Sequence, residues 1–380
     1  MKKGLLVFII FINFIMIPVF AQNNDKNLHA EKGVVENVEY EDINQNNYSD
    51  KEQVKQIVTV KLLTGEFKGQ SFKTDNMITN NPYYDMILRK GDRVILHTEL
   101  ENDNVTINYD IADIQRIDFV FVLLALFFAL LLFIGRKKGF FSLVSIVVTI
   151  LLILLVLSPL IRSGFNPIIS TLFISIISSA VTIYLVGGLN RKSTSAVLGA
   201  SGSLICASVI SLMAIHFSHL TGFSSEECMY LYTSDSSLNF KGILTASMML
   251  ATLGAVMDTG MSIASSVNEF FTLNPEMTPK ELFISGMNVG KDIIGTMANT
   301  LILVYLGSSL PLVLLSQNID LQKFFNLNQV VTEITSAIIG SIAIVICVPI
   351  TAFVTAYLMK KKNENETNIM IKNDNDILGD

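Results

Sequence analysis

Apolar and polar positions alternate in short runs between residues 22 and about 116. Beyond about 117 the alternation stops, and long apolar runs follow one another with brief polar breaks. The first pattern predicts strands, because successive side chains of a strand point to opposite faces. Strands are expected at 33–40, 54–63, from 68 to 73 and beyond, 90–97 and 105–109, with turns at Thr64-Gly65 and Lys90-Gly91-Asp92. Five short strands in so few residues predict a small all-β domain, an OB- or SH3-like barrel. Its expected role is structural or protein-docking, since no aromatic series suited to stacking bases is present. Tyr83-Tyr84 is expected to pack within it.

The second pattern predicts membrane spans, each run being about as long as a helix needs to cross a bilayer. They are placed near 117–134, 140–160, 166–187, 195–217, 242–260, 282–306 and 333–358. The expected fold is an α-helical polytopic membrane bundle of about seven spans, carrying a small N-terminal all-β extracytoplasmic domain. The domains are then 22–116, β-rich, and 117–360, transmembrane, followed by a polar tail, 361–380, that is expected to be disordered. Residues 1–21 read as an export signal, with Lys2 and Lys3 ahead of an apolar stretch over 4–17 and small residues near Ala21. An uncleaved signal-anchor is the alternative, and either way the next segment is exported.

Basic residues in short loops set the orientation. Arg136-Lys137-Lys138 follows the first expected span, Arg191-Lys192 the third and Lys360-Lys361-Lys362 the seventh. The opposite loops hold single basic residues, Arg162, Lys241 and Lys323. Seven spans starting outside put all three clusters on the inner side, whereas splitting 282–316 into two spans would put the last cluster outside. Two loops carry helix starts. Ser224-Ser225-Glu226-Glu227 matches a capping box for a short external helix. Thr278-Pro279-Lys280-Glu281 matches one on the inner side, with proline at the first helical position, after a turn at Asn274-Pro275.

Composition agrees with a membrane protein: 51% of residues are hydrophobic and only 16% charged, against about 25% in soluble domains. The net charge of −6 comes mainly from the β-rich domain and the tail, and no basic patch suits nucleic acid. The three cysteines, Cys206, Cys228 and Cys347, lie outside the β-rich domain, so no disulfide framework is expected there. His216 and His219 have a metal-compatible spacing but no nearby carboxylate or thiol to complete a set, so they read as interfacial histidines. No HExxH, GxSxG, P-loop or dinucleotide fingerprint is present, nor a paired Asp or Ser/His arrangement for intramembrane proteolysis. No enzyme activity, cofactor or metal is expected.

The candidate chemistry lies in the sixth expected span. Ser285, Asn288, Asp292, Gly295 and Asn299 fall on one helical stripe. Gly286 and Gly290 form a GxxxG on a neighbouring face, which lets another helix approach closely. The Gly307-Ser308-Ser309-Leu310-Pro311 sequence should end or kink the helix. In the fifth span Ser247, Ala251, Gly254 and Asp258 form a small-residue stripe, with Asp258 near the inner end. Lys291 and Asp292 point about 100° apart, so Lys291 can pair with Asp258 while Asp292 faces elsewhere. Three readings stand: a buried Lys–Asp pair that fixes register; a polar site for an ion or small solute lined by Asp258, Asn288, Lys291, Asp292 and Asn299 between spans five and six; or a helix at the membrane surface with solvated charges.

The chain resembles the YibE/F family of bacterial membrane proteins. The resemblance is carried by the words at 61–70, Lys90-Gly91-Asp92-Arg93, 219–227, 254–258 with 262–265, 285–292 and 295–311. It covers roughly residues 30 to 316 and implies an architecture and the bacterial cytoplasmic membrane, with no reaction, cofactor or catalytic residue. Two functions are expected to compete: a permease- or channel-like protein, and a non-transporting scaffold or regulator whose N-terminal domain docks a partner.

Overall fold

A computed structural model describes residues 28–42, 54–65, 67–79, 81–83, 85–100 and 107–377, with side chains described as far as Lys360. The leader expected over 1–21 lies outside the described residues. The chain forms two compact units, one running to Leu130 and the other beginning at Leu131.

The first unit is built on five antiparallel strands: β1 (Leu28–Asp42), β2 (Val54–Leu62), β3 (Ser71–Ile78), β4 (Arg93–Leu100) and β5 (Ile107–Ile114). They hydrogen-bond in the order β3-β2-β1-β4-β5. The sheet curls until its edges approach, and Phe72 of β3 stacks on Tyr109 of β5 with ring centroids 4.4 Å apart. This is the partly open barrel that the alternation predicts, with bulges at Val35/Asn37 and Ile95/Leu96 that sharpen its curvature. Val35, Val58, Val60, Leu62, Leu88, Val94 and Leu96 form the core. Gln56 is fully buried there because its amide mimics a strand: Oε1 accepts from Leu88 N at 3.2 Å and from Asn76 Nδ2 at 2.8 Å, and Nε2 donates to Leu88 O. Tyr83 stands 74% exposed in the segment between β3 and β4, and Tyr84, expected to pack with it, lies outside the described residues.

From Ile117 onward the chain is helical, and the second unit is made of helices. The described residues include six helices long and apolar enough to cross a membrane. The first, α1 (Ile117–Arg162), has 46 residues, or about 69 Å at ~1.5 Å per residue, more than twice the hydrocarbon core of a bilayer. Its backbone leaves the helical region at Arg136 (φ 48°, ψ −123°), where the first basic cluster predicts a loop, so α1 holds the first two expected spans. The others are α2 (Pro167–Gly187), α3 (Arg191–Phe217), α5 (Phe240–Leu273), α6 (Pro279–Ser308) and the apolar part of α9 (Asn328–Ile377). Short helices α4 (Glu226–Ser234), α7 (Leu310–Leu315) and α8 (Leu321–Phe324) lie in the connections. The backbone of α9 runs on to Ile377 through the polar stretch where composition predicts disorder.

Hydrogen bonds between helices align their ends. Thr149 and Ser178 hydroxyls lie 2.7 Å apart, about equally far from the 163–166 loop, which sets α1 antiparallel to α2. Arg191 donates to Leu358 O at 2.8 Å, so α3 begins where the apolar part of α9 ends. All three basic clusters therefore gather at one end of the bundle. At the other end, Asn166 caps α2, Asn328 donates to Phe223 O at 2.8 Å, and Phe223 stacks on Phe240 at 4.6 Å. The α4 helix forms as expected, but its capping box does not close: the N-cap is Ser225, whose hydroxyl lies 3.8 Å from Cys228 Sγ.

Candidate functional site

Helix α6 begins with the capping box that the sequence predicts. Thr278 Oγ1 accepts from Glu281 N at 3.3 Å, and Glu281 Oε2 accepts from Thr278 N at 2.8 Å. The reciprocal bonds satisfy two donors of the first turn and fix where the 3.6-residue period starts. Thirty residues follow without a break, ending at Ser308 as the Gly307–Pro311 sequence predicts. Asp292 therefore stands at the middle of the helix.

One face of α6 packs. Leu282, Gly286, Gly290 and Leu301 are buried against α5 and α9. A Cβ on Gly290 would lie 2.2 Å from Val348 Cγ1, and one on Gly286 2.6 Å from Val267 Cγ2. The GxxxG thus serves close helix approach, as expected. Two residues along a helix is a turn of about 200°, so Asn288 and Asp292 point away from that face. Asn288, Lys291, Asp292, Gly295 and Asn299 are all exposed on the outside of the bundle. Lys291 Nζ donates to Asn288 Oδ1 at 3.3 Å. A Cβ on Gly295 would meet nothing within 4 Å.

The preceding helix departs from expectation. Asp258 does not end a helix, because α5 continues to Leu273 and Asp258 lies near its middle. The extension holds because Ile263, Ala264 and Val267 are buried, two of them in the cluster with Leu282 of α6. Met261 meets Gly187 of α2 and Ile263 meets Gly290 of α6. Ser262 between them is exposed, and Asp258, Gly254, Ala251 and Ser247 continue that uncovered line. No ion pair joins Lys291 to Asp258. The pair is absent because the interface is made by Ile263, Val267 and the two glycines, leaving both charges on outward faces. The five candidate residues are thus displayed on two outer faces, near mid-helix, and are not enclosed between α5 and α6.

A second polar feature was not legible from the sequence. On α2, Thr171, Ser175 and Ser179 recur every four residues, are fully buried, and their hydroxyls have no hydrogen-bond partner among the described residues. Ser203 of α3 donates to Ala343 O of α9. Serine and threonine scattered in apolar runs carry no periodic signal strong enough to mark a face, so only packing reveals the row. His216 and His219 flank the end of α3, and His216 packs edge-on to Phe217. No group of three or more metal-ligating side chains occurs among the described residues.

Chemically, the outer faces of α5 and α6 offer carboxylates, an ammonium and amides in an otherwise apolar zone. That set can replace the hydration of a small ion or polar solute, or hydrogen-bond another helix. Residues 123–361 match the family model described as YibE/F-like protein, and residues 28–114 match the YibE/F family N-terminal domain. No curated protein and no solved structure matches the chain.

Proposed function

The chain belongs to the YibE/F-like family, and from that premise we propose a permease- or channel-like membrane protein that passes a small polar solute or ion along the polar faces of α5 and α6. One observation carries the reading: α6, a helix apolar enough to span, holds Asn288, Lys291, Asp292 and Asn299 outward near its middle. A charged side chain at the bilayer centre costs about 2.5–3.5 kcal/mol on insertion scales and is met mostly where it lines a wet path or pairs with a partner. Asp258 and Asp292 are the cation-attracting groups in this reading, Lys291 balances them, and Asn288 and Asn299 supply neutral hydrogen bonds. The reading includes no covalent step, cofactor or metal. It places the protein in a bacterial cytoplasmic membrane, with the basic end of the bundle and the C-terminus inside and the β unit outside, by the distribution of lysine and arginine.

The outward position of the polar face also favours a second reading, a scaffold or regulator that receives a partner there or at the β unit. Thiol labelling separates the two. With Cys206, Cys228 and Cys347 replaced, single cysteines are placed at Asn288, Asp292 and Asn299 in the full chain in membranes. Labelling by a small water-soluble reagent, graded from the inner side, is the expected result. Protection of all three in a folded protein overturns the transport reading and leaves the scaffold.

A further inference from the structure

The outward residues of α6 are not scattered. Asn288, Asp292, Gly295, Asn299 and Ile302 are separated by four, three, four and three residues, and each is exposed. That is a 3.5-residue period, the spacing at which two parallel helices keep one seam in contact while they supercoil. A polar seam opposite the face that carries the buried glycines would meet hydrocarbon if nothing covered it.

We propose that this seam pairs with the same seam of a second copy of the chain. In a bilayer a two-fold axis along the membrane normal places each residue at the level of its own equivalent. Asn288 then faces Asn288 and Asn299 faces Asn299, and asparagine pairs at seam positions fix register and helix number. By the same symmetry Asp292 faces Asp292, and the two carboxylates are held together by the ammoniums beside them. Each copy contributes Lys291 beside Asp292, so two copies assemble two ammoniums and two carboxylates, with each Lys291 next to Asp292 of the partner subunit. No other charged chain is needed for neutrality. Gly295 leaves room at the crossing point, since a Cβ there would meet nothing within 4 Å. Ile302, 45% exposed, continues the seam with an apolar contact. Interhelical hydrogen bonds and small residues are the forces that associate helices in lipid, where apolar burial supplies little.

This pairing goes beyond the transport reading and stands without it, and its test reads association instead of flux. Single cysteines at Asn288, Gly295 and Ile302, in the full chain lacking its native cysteines, are oxidised in membranes and compared with Thr300 and Val304, which are exposed but off the seam. A disulfide needs Cα atoms within about 7 Å. Cross-linked dimer at the seam positions, at least about tenfold above the off-seam positions at that distance limit, is expected. Tagged and untagged copies co-purified from lipid discs provide a check without cysteines. There Asp292→Lys should abolish co-purification, and Lys291→Asp with Asp292→Lys should restore it. Equal cross-linking at all exposed positions, a monomer in both assays, or a product with the mass of a different chain overturns the proposal. Dimers whose seam cysteines resist water-soluble label overturn transport and leave the pairing intact. Labelled seams without dimers do the reverse.

Discussion

Helices α2 and α6 are both long enough and apolar enough to span, yet they place their polar groups oppositely. Helix α2 turns Thr171, Ser175 and Ser179 inward and presents Ile169 and Phe173 outward, 68% and 63% exposed. Helix α6 buries Leu282 and two glycines and presents Asn288, Lys291, Asp292 and Asn299 outward. The first arrangement suits lipid as it stands. The second suits lipid only when something covers it. Two helices that can both span thus have different requirements, and the requirement is set by which face the neighbours occupy.

The contrast can be broken most sharply by placing a charge in α2. Ser175→Asp leaves an unpaired buried carboxylate, a change on the order of 3–5 kcal/mol, and should abolish the folded peak in size-exclusion chromatography. Next comes the packed face of α6. Gly290→Leu forces atoms into the space of Val348 and should lower stability by about 1–3 kcal/mol, seen as a reduced thermal midpoint in detergent. Thr278→Ala opens the capping box and should cost about 1 kcal/mol, read the same way, with Thr278→Ser retaining most of the stability. The smallest effect on the fold belongs to the outward face. Asp292→Leu should shift the midpoint of the detergent-solubilised protein by no more than about 0.5 kcal/mol, while reducing association or flux in membranes. A midpoint drop as large as that of Gly290→Leu would mean that Asp292 is held inside the fold, and the contrast between the helices would disappear.

Much of this architecture was legible in the sequence because two periods differ so clearly. Alternation over 33–40 and 54–63 marks strands, and uninterrupted apolar runs mark spans. The basic clusters fall where the chain turns, including Arg136, where a single long helix breaks. The faces were harder to assign. In α6 the glycines at 286 and 290 and the polar residues at 288 and 292 both had a claim on the interior. The usual rule that charges face inward favoured the polar set. Close backbone approach to Val348 and Val267 decided for the glycines. In α5 the Asp258-Thr259-Gly260 sequence resembles an ending, and only the burial of Ile263 and Val267 against a neighbour reveals that the helix continues. The buried hydroxyls of α2 left no mark in the pattern, since a serine in an apolar run is compatible with either face.

The position of α9 in the bundle bears on how the protein is made. Ala343, Ile344, Cys347, Val348, Thr351 and Ala352 are fully buried, and they fill spaces left by Gly199 of α3, Gly260 of α5 and Gly286 and Gly290 of α6. Arg191 waits for the carbonyl of a residue 167 positions later. A span that leaves the ribosome after these others is thus the one around which they close. Until it arrives, the earlier helices stand in the bilayer with grooves of glycine open to one another and to lipid. A nascent chain stalled before about residue 340 should remain a loose, protease-sensitive set of spans, and protection of those spans should coincide with the insertion of α9.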